Sequence, residues 1–467
     1  MKLNNFQMDH TCEKCGKTFS QKSKYTAHNK RKTPCNKFNT NTTTNTNTNI
    51  DIVTPSDNKL PFSYSELSVT LTHQISKNDK KDGGIYFTPP KTIDYNLKLL
   101  DEFIPTIRNV LEPSCGSCEF IVALNNKYQN LNITGIELNE TIYESIKPLE
   151  NEHITLYNQS YLEWNDTTKY DLIIGNPPYF VMSKTDVNST YYNYFDGRPN
   201  IFILFLIKSL KLLNPDGILS FILPKNFLNC LYYNKTRRYI LKKFKIINII
   251  ICDDNYLETK QDTIMLIIQN KVDLNQNYKF TLMENVEEDF PEDDVIFGSP
   301  ENIIQLKLLY ENSTTLSKLN FTVNVGNIVW NQVKDQLTDD TTKTLLIYSS
   351  DIRNNELCLQ NYSNEDKKNY INRQGFNTSV LVINRGYGVG KYKFEYCLIE
   401  GNVEYLIENH LICVKYNLPI NPDELISLYE RIINSFENEK TKQFIQLYFG
   451  NNAINTTELQ NILPIYF

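Results

Sequence analysis

From Leu60 onward, apolar segments alternate with polar ones as in a folded chain. Between Asn109 and Asn270, short runs rich in β-branched residues recur at Ile133–Glu137, Tyr170–Ile174, Gly217–Leu223, Ile246–Cys252 and Thr263–Gln269. Such runs suit a pleated surface buried on both sides. Stretches of helical character lie between several of them, including Ile201–Leu213 and Thr236–Phe244. Strand followed by helix, repeated, predicts a mostly parallel sheet covered on both faces. Beyond about residue 276 the rhythm breaks. The pattern there predicts strands at Leu345–Tyr348, Ser379–Asn384 and His410–Lys415, then an amphipathic helix near Glu424–Phe436. A second large domain of α+β character is expected over residues 276–467.

Composition divides the first 59 residues from the rest. Residues 39–49, an Asn/Thr repeat without an apolar side chain, can bury nothing and are expected to serve as a tether within a 39–59 linker. Residues 1–38 carry nine Lys/Arg against two acids, a local charge of +7, which leaves −13 on the remainder of a chain of net charge −6. An acidic bulk argues against indiscriminate coating of nucleic acid, though phosphate contacts depend on where the charges sit. No run approaches the length needed to span a membrane, and Met1–His10 contain no apolar core of a secretion signal. The ten cysteines form no paired framework, so a reducing intracellular compartment is expected.

Cys12 and Cys15 stand two residues apart, His28 follows after twelve more, and Cys35 after a further six. Tetrahedral zinc takes two ligands from a tight knuckle and two from a nearby helix, which this spacing permits. Phe19 and Tyr25 fall where a small finger needs its apolar core. Residues 1–38 resemble a zinc finger of the C2H2 type, with Cys35 in place of the last histidine.

In Ile107–Val122 (IRNVLEPSCGSCEFIV) a β-run ends at Glu112, and small residues lead into a helix. Small residues there let the backbone approach a nucleotide-like ligand beyond the strand ends. The next strand ends in Glu137, an acid about 20 residues on, as ribose hydroxyls require. Upstream, Gly83–Pro90 (GGIYFTPP) precedes a helix. Downstream, Tyr170–Phe180 reads YDLIIGNPPYF.

Taken in this order, the Thr-Pro turn, LEPSCG, GIEL and NPPY resemble the N6-adenine DNA methyltransferases that place the recognition domain last. The resemblance covers roughly residues 80–270. It implies a Rossmann-like methyltransferase domain over 60–275 dependent on S-adenosylmethionine, followed by a target-recognition domain. Thr88, Glu112, Ser114 and Gly116 would line the methionine part of the cofactor, and Glu137 its ribose. Two positions depart from the family pattern: Cys118 replaces the third glycine of the loop, and Ser160 stands where an Asp usually meets the cofactor's adenine.

The amino nitrogen of adenine is a poor nucleophile because its lone pair is delocalised into the ring. The Asn176 side-chain oxygen and the Pro177 carbonyl can accept its two hydrogens and so favour a more tetrahedral nitrogen, with Asn176 at the boundary of cofactor and target. Pro177 and Pro178 stiffen the turn. Tyr179 offers a face for a base taken out of the stack. Tyr256 is a candidate second wall; a buried core tyrosine is the competing expectation. Lys235, Arg237, Arg238, Lys242, Lys243 and Lys245 form a cluster that reads either as a phosphate stripe or as a solvated helix face. Arg385, near a turn, is a candidate for reading a guanine edge. Double-stranded DNA is the expected partner, with a cognate restriction nuclease possible and the chain acting as a monomer. Methylation of an RNA base or a protein glutamine, or DNA binding without catalysis, are the competing functions.

Overall fold

The computed structural model describes residues 10–11, 18–19, 63–253, 256–258, 261–273, 275, 277–281, 295–385, 393–449 and 454–467. Two compact units divide the chain, Met1–Pro61 and Phe62–Phe467. In the first, His10–Thr11 pairs antiparallel with Thr18–Phe19. The expected ligands Cys12, Cys15, His28 and Cys35 lie outside the described residues, as does the linker.

The second unit opens with α1 (Glu66–Gln74), α2 (Lys77–Gly83) and α3 (Pro90–Leu100). The repeat of strand and helix follows: β1 (Asn109–Glu112), α4 (Glu119–Lys127), β2 (Asn132–Glu137), α5 (Glu140–Ile146), β3 (Ile154–Asn158) and β4 (Tyr170–Gly175). Next come α6 (Ile201–Leu212), β5 (Leu213–Pro224), α7 (Asn234–Lys243), β6 (Lys245–Cys252) and β7 (Thr263–Gln269). The seven strands form one sheet in the order β3-β2-β1-β4-β5-β7-β6, parallel except for β7, which runs antiparallel to both neighbours.

Alternation along each strand sends successive side chains to opposite faces. Val110, Ile133, Leu172, Ile174, Ile218 and Ile222 meet α3, α4 and α5 through Ile93, Leu97, Phe120, Ile121 and Ile142. Leu111, Ile136, Ile173, Leu219, Phe221 and Leu223 meet α6 and α7 on the other face. The helix after β1 therefore packs on one face and the helix after β4 on the other. Because β1 and β4 are neighbours, a crevice opens between their carboxyl ends, where ligands bind in open α/β sheets. In α6, ten of twelve residues are buried, so its apolar residues run all round rather than in a stripe.

Beyond residue 295, Phe321–Val325, Leu411–Tyr416, Val380–Asn384 and Tyr396–Ile399 form an antiparallel sheet packed on the helix Pro422–Glu437. A second sheet joins Leu337–Thr338, Tyr370–Ile371, Thr344–Ile347 and Tyr405–Ile407. The expected strands and the amphipathic helix fall within one or two residues of these positions.

The basic cluster is not the uniform stripe or solvated face its sequence suggested. Arg237 is fully buried. Its guanidinium donates to the carbonyls of Val295 at 2.6 Å and of Phe227 and Cys230, each at 2.9 Å. Lys235 pairs with Asp196 at 2.6 Å, and only Lys242 and Lys243 are freely exposed. A five-donor fork can satisfy several inward-pointing carbonyls at once, which explains an arginine here. Arg237→Leu would leave those carbonyls buried without a donor. It is expected to lower unfolding stability by roughly 3 kcal/mol or more, measured by urea denaturation.

Candidate active site

Three turns converge at the crevice between β1 and β4, two of them following these strands and one joining α2 to α3. The first is Pro113–Cys118. Gly116 has φ +51° and donates its N–H to Glu137 Oε2 at 2.9 Å. Cys118, at φ +60°, holds the left-handed conformation that glycine adopts freely and other residues adopt at about 1–2 kcal/mol. Its side chain is fully buried beside Cys115, so the replacement of glycine is accommodated by packing.

Glu137 ends β2 almost fully buried. Its two oxygens accept the backbone N–H groups of Gly116 and, at 2.7 Å, Asn139. Burial raises its carboxyl pKa, while these N–H groups and that of Leu138 pull the other way. A carboxylate offers about four lone-pair sites, so acceptors remain for hydroxyls of a ligand. Glu137, exposed Leu138, Ser160, Ser114 and Gly116 all line a cavity of about 540 Å³. A glycine without Cβ, a carboxylate and an apolar rim suit a nucleoside carrying an amino-acid tail, and S-adenosylmethionine fits these residues.

Thr88 and Glu112 are buried and stand outside the cavity-lining set. Among the described residues Glu112 Oε2 has no hydrogen-bond partner. Burial first, then neighbouring Cys118 and Glu137, hold its carboxyl well above the usual carboxylate range.

The second turn, Gly84–Pro89, and the third, Asn176–Tyr179, touch directly. Gly84 has φ +63°, and a Cβ there would lie 2.7 Å from the Tyr179 backbone nitrogen and 3.0 Å from Pro178 Cβ. Only glycine lets the two backbones come this close. Asn176 is held from three sides. Its Nδ2 donates to the Tyr86 carbonyl at 3.2 Å, its Oδ1 accepts from the Tyr179 hydroxyl at 2.5 Å, and its carbonyl accepts from Ser114 Oγ at 3.3 Å. Asn176 and Pro178 line the cavity, and Pro177 is buried behind them.

The Tyr179 hydroxyl shares its hydrogen between Asn176 Oδ1 and the Ile222 carbonyl at 2.7 Å. Its ring meets Phe202 edge-on at 6.1 Å. Burial, then neighbouring Tyr256 and Cys252, push its phenol well above the ordinary value. Tyr256 is buried and lies outside the cavity wall. The sequence had not singled out Tyr86, Phe180 or Phe205. The carbonyl of Tyr86 acts through its backbone, which no side-chain pattern signals, and the two phenylalanines enter the wall through folding alone.

The model of the Eco57I restriction-modification methylase family matches residues 62–257. The type II methyltransferase M.CvrRI of Paramecium bursaria Chlorella virus XZ-6E is 26% identical over 408 residues, spanning 86% of this chain and 99% of its own. The modification methylase CviBIII of Paramecium bursaria Chlorella virus NC1A is 24% identical over 414 residues, with the same coverage of both chains. The type II methyltransferase M.AccI of Acinetobacter calcoaceticus is 27% identical over 270 residues, 55% of this chain and 48% of its own.

Glu137 tests the assignment of the cavity. Hydrogen bonds to a charged group contribute on the order of 1.5–3 kcal/mol each, and tenfold in affinity is about 1.4 kcal/mol. Calorimetry should therefore find S-adenosylmethionine bound at least about tenfold more weakly by Glu137→Ala. Unchanged affinity would remove Glu137 from the site.

Proposed function

We propose that this S-adenosylmethionine-dependent DNA methyltransferase directs its methyl group to the N6 amino group of an adenine taken out of the duplex. The observation that carries the reading is the Asn176–Tyr179 turn, whose Asn176 and Pro178 form part of the wall of the Glu137 cavity. A type II methyltransferase and a modification methylase that align over nearly their whole length support DNA as the substrate.

When bound, S-adenosylmethionine supplies an electrophilic methyl group. The protein's part is to present the amine. With Asn176 Nδ2 committed to the Tyr86 carbonyl, the amide cannot flip, and its oxygen end stays fixed. One lone pair of that oxygen takes the Tyr179 hydroxyl; the second is free to accept a hydrogen of the target amine. The Pro177 carbonyl accepts the other. Both acceptors are preorganised by the rigid turn, so they favour the transition state without reorganising. Tyr179 then serves the base through its face and Asn176 through its hydroxyl. Thr88, Glu112, Ser114 and Gly116 support the methionine part of the cofactor, Glu137 the ribose, and Ser160 the adenine side.

Residues 276–467 are proposed to read the target sequence, and a nuclease cutting the unmethylated site is the partner this chemistry fits. Cys12, Cys15, His28 and Cys35 are proposed to hold one structural zinc ion. Elemental analysis should find one zinc per chain in reducing buffer and none in Cys15→Ala; a metal-free intact protein refutes the site.

Losing one oriented acceptor is expected to remove about 2.7–4 kcal/mol of transition-state stabilisation, by analogy with oriented donors. Asn176→Ala should thus lose roughly a hundredfold or more in single-turnover rate while still binding cofactor and DNA. Mass spectrometry of digested DNA should identify N6-methyladenine. N4-methylcytosine or methylated RNA as product would overturn the substrate, and full activity of Asn176→Ala the mechanism.

A further inference from the structure

Helix α2 carries a charge where its size and burial make one expensive. Lys80 has a side chain only 5% exposed, and its Nζ lies 2.6 Å from Glu258 Oε2 and donates to the Thr72 carbonyl at 2.6 Å. A buried ammonium without partners is strongly disfavoured, so the pair is an obligate one once Lys80 is in place. An apolar side chain would fill the same space with less desolvation. What the pair adds is a fixed position for the segment bearing Glu258.

That segment is the connection between β6 and β7, in which Tyr256 stands two residues before Glu258. The same stretch of α2 governs the catalytic turn. The Lys80 carbonyl accepts the N–H of Gly84, the left-handed cap of α2, and that of Ile85 at 2.9 Å. Gly84 is the residue that abuts the Tyr179 backbone. One lysine thus ties by its side chain to the Tyr256 segment and by its carbonyl to the turn pressed on Tyr179. Thr72 at the end of α1 closes the arrangement from behind.

We infer that Lys80 and Glu258 are positioning residues, whose ion pair sets the Tyr256 segment against the Asn176–Tyr179 turn and so shapes the place where the extruded base is received. This rests on the base-methylation reading above. Neither residue touches cofactor or reacting atoms. Their loss acts through the two tyrosines, on capture of the base rather than on methyl transfer from a captured one.

The test uses the full chain and two duplexes holding the site found methylated in DNA from cells expressing it: one with 2-aminopurine at the target position, which reports base capture by fluorescence but has no 6-amino group to methylate, and one with adenine there, on which kcat and KM are measured. Glu258→Gln, Lys80→Met and the double variant are compared with wild type. Either single change should reduce base capture, read as fluorescence, and raise the KM for DNA by about tenfold, the scale of one lost stacking face. The kcat at saturating DNA and the affinity for S-adenosylmethionine should stay within about threefold, since these residues lie outside both functions. The double variant should be no worse than Lys80→Met, because the two residues act as one pair. If Lys80→Met fails to fold, Glu258→Gln decides alone, its side chain being 28% exposed. A folded Glu258→Gln with wild-type fluorescence and KM overturns the tether and spares the base-methylation reading. A wild-type protein that neither brightens the 2-aminopurine probe nor methylates the adenine duplex sinks that reading and the tether with it.

Discussion

The approach of two backbones at Gly84 and Tyr179 is the constraint on which the site depends. The turn before α3 and the turn after β4 come from segments about ninety residues apart, and each is held by the other. A side chain at Gly84 would push on the peptide nitrogen of Tyr179, the residue whose hydroxyl meets Asn176 Oδ1. The carbonyl of Tyr86, two residues on, orients the other end of the same amide. The chemistry proposed for Asn176 is therefore a property of two loops in contact, and neither could supply it alone.

The sheet makes that meeting possible. With β1 and β4 adjacent and their helices sent to opposite faces, a crevice opens at the carboxyl ends of the two strands, bordered by the turns that follow them. The antiparallel β7 completes the sheet between β5 and β6, and its continuous burial on both faces anchors the far side. Ile222, on β5, returns a carbonyl to Tyr179, so the third strand of this group also shapes the Asn176–Tyr179 turn.

The departures from the family pattern have local physical accounts. Cys118 occupies a left-handed position without being glycine, and its thiol is compensated by complete burial among Cys115, Ile121 and their neighbours. Ser160 remains at the cavity wall, where a hydroxyl offers both donor and acceptor but no charge. The Pro113–Cys118 turn therefore keeps its shape without the third glycine.

How much was legible in the sequence follows from the range over which each signal acts. The strands were readable because runs of β-branched residues are local, and the turns because glycine, proline and acid fall at set distances along the chain. Those signals yielded the α/β architecture and, together with the resemblance to the adenine methyltransferases, drew attention to Ser114, Gly116, Glu137, Ser160, Asn176 and Pro178, which the fold brings to one cavity. Thr88 and Glu112 were named by that resemblance; both are buried and stand outside the residues that line it. Charge was the least reliable guide. Arg237 reads as a surface cation in sequence and is buried, because carbonyls from separate segments surround it, and Lys80 is buried too, against a carboxylate and a carbonyl. The local sequence determined which turns exist and what chemistry they carry; tertiary structure alone decided which of them touch, since hydrogen bonds such as that from Asn176 to Tyr86 join residues whose separation along the chain leaves no periodic trace.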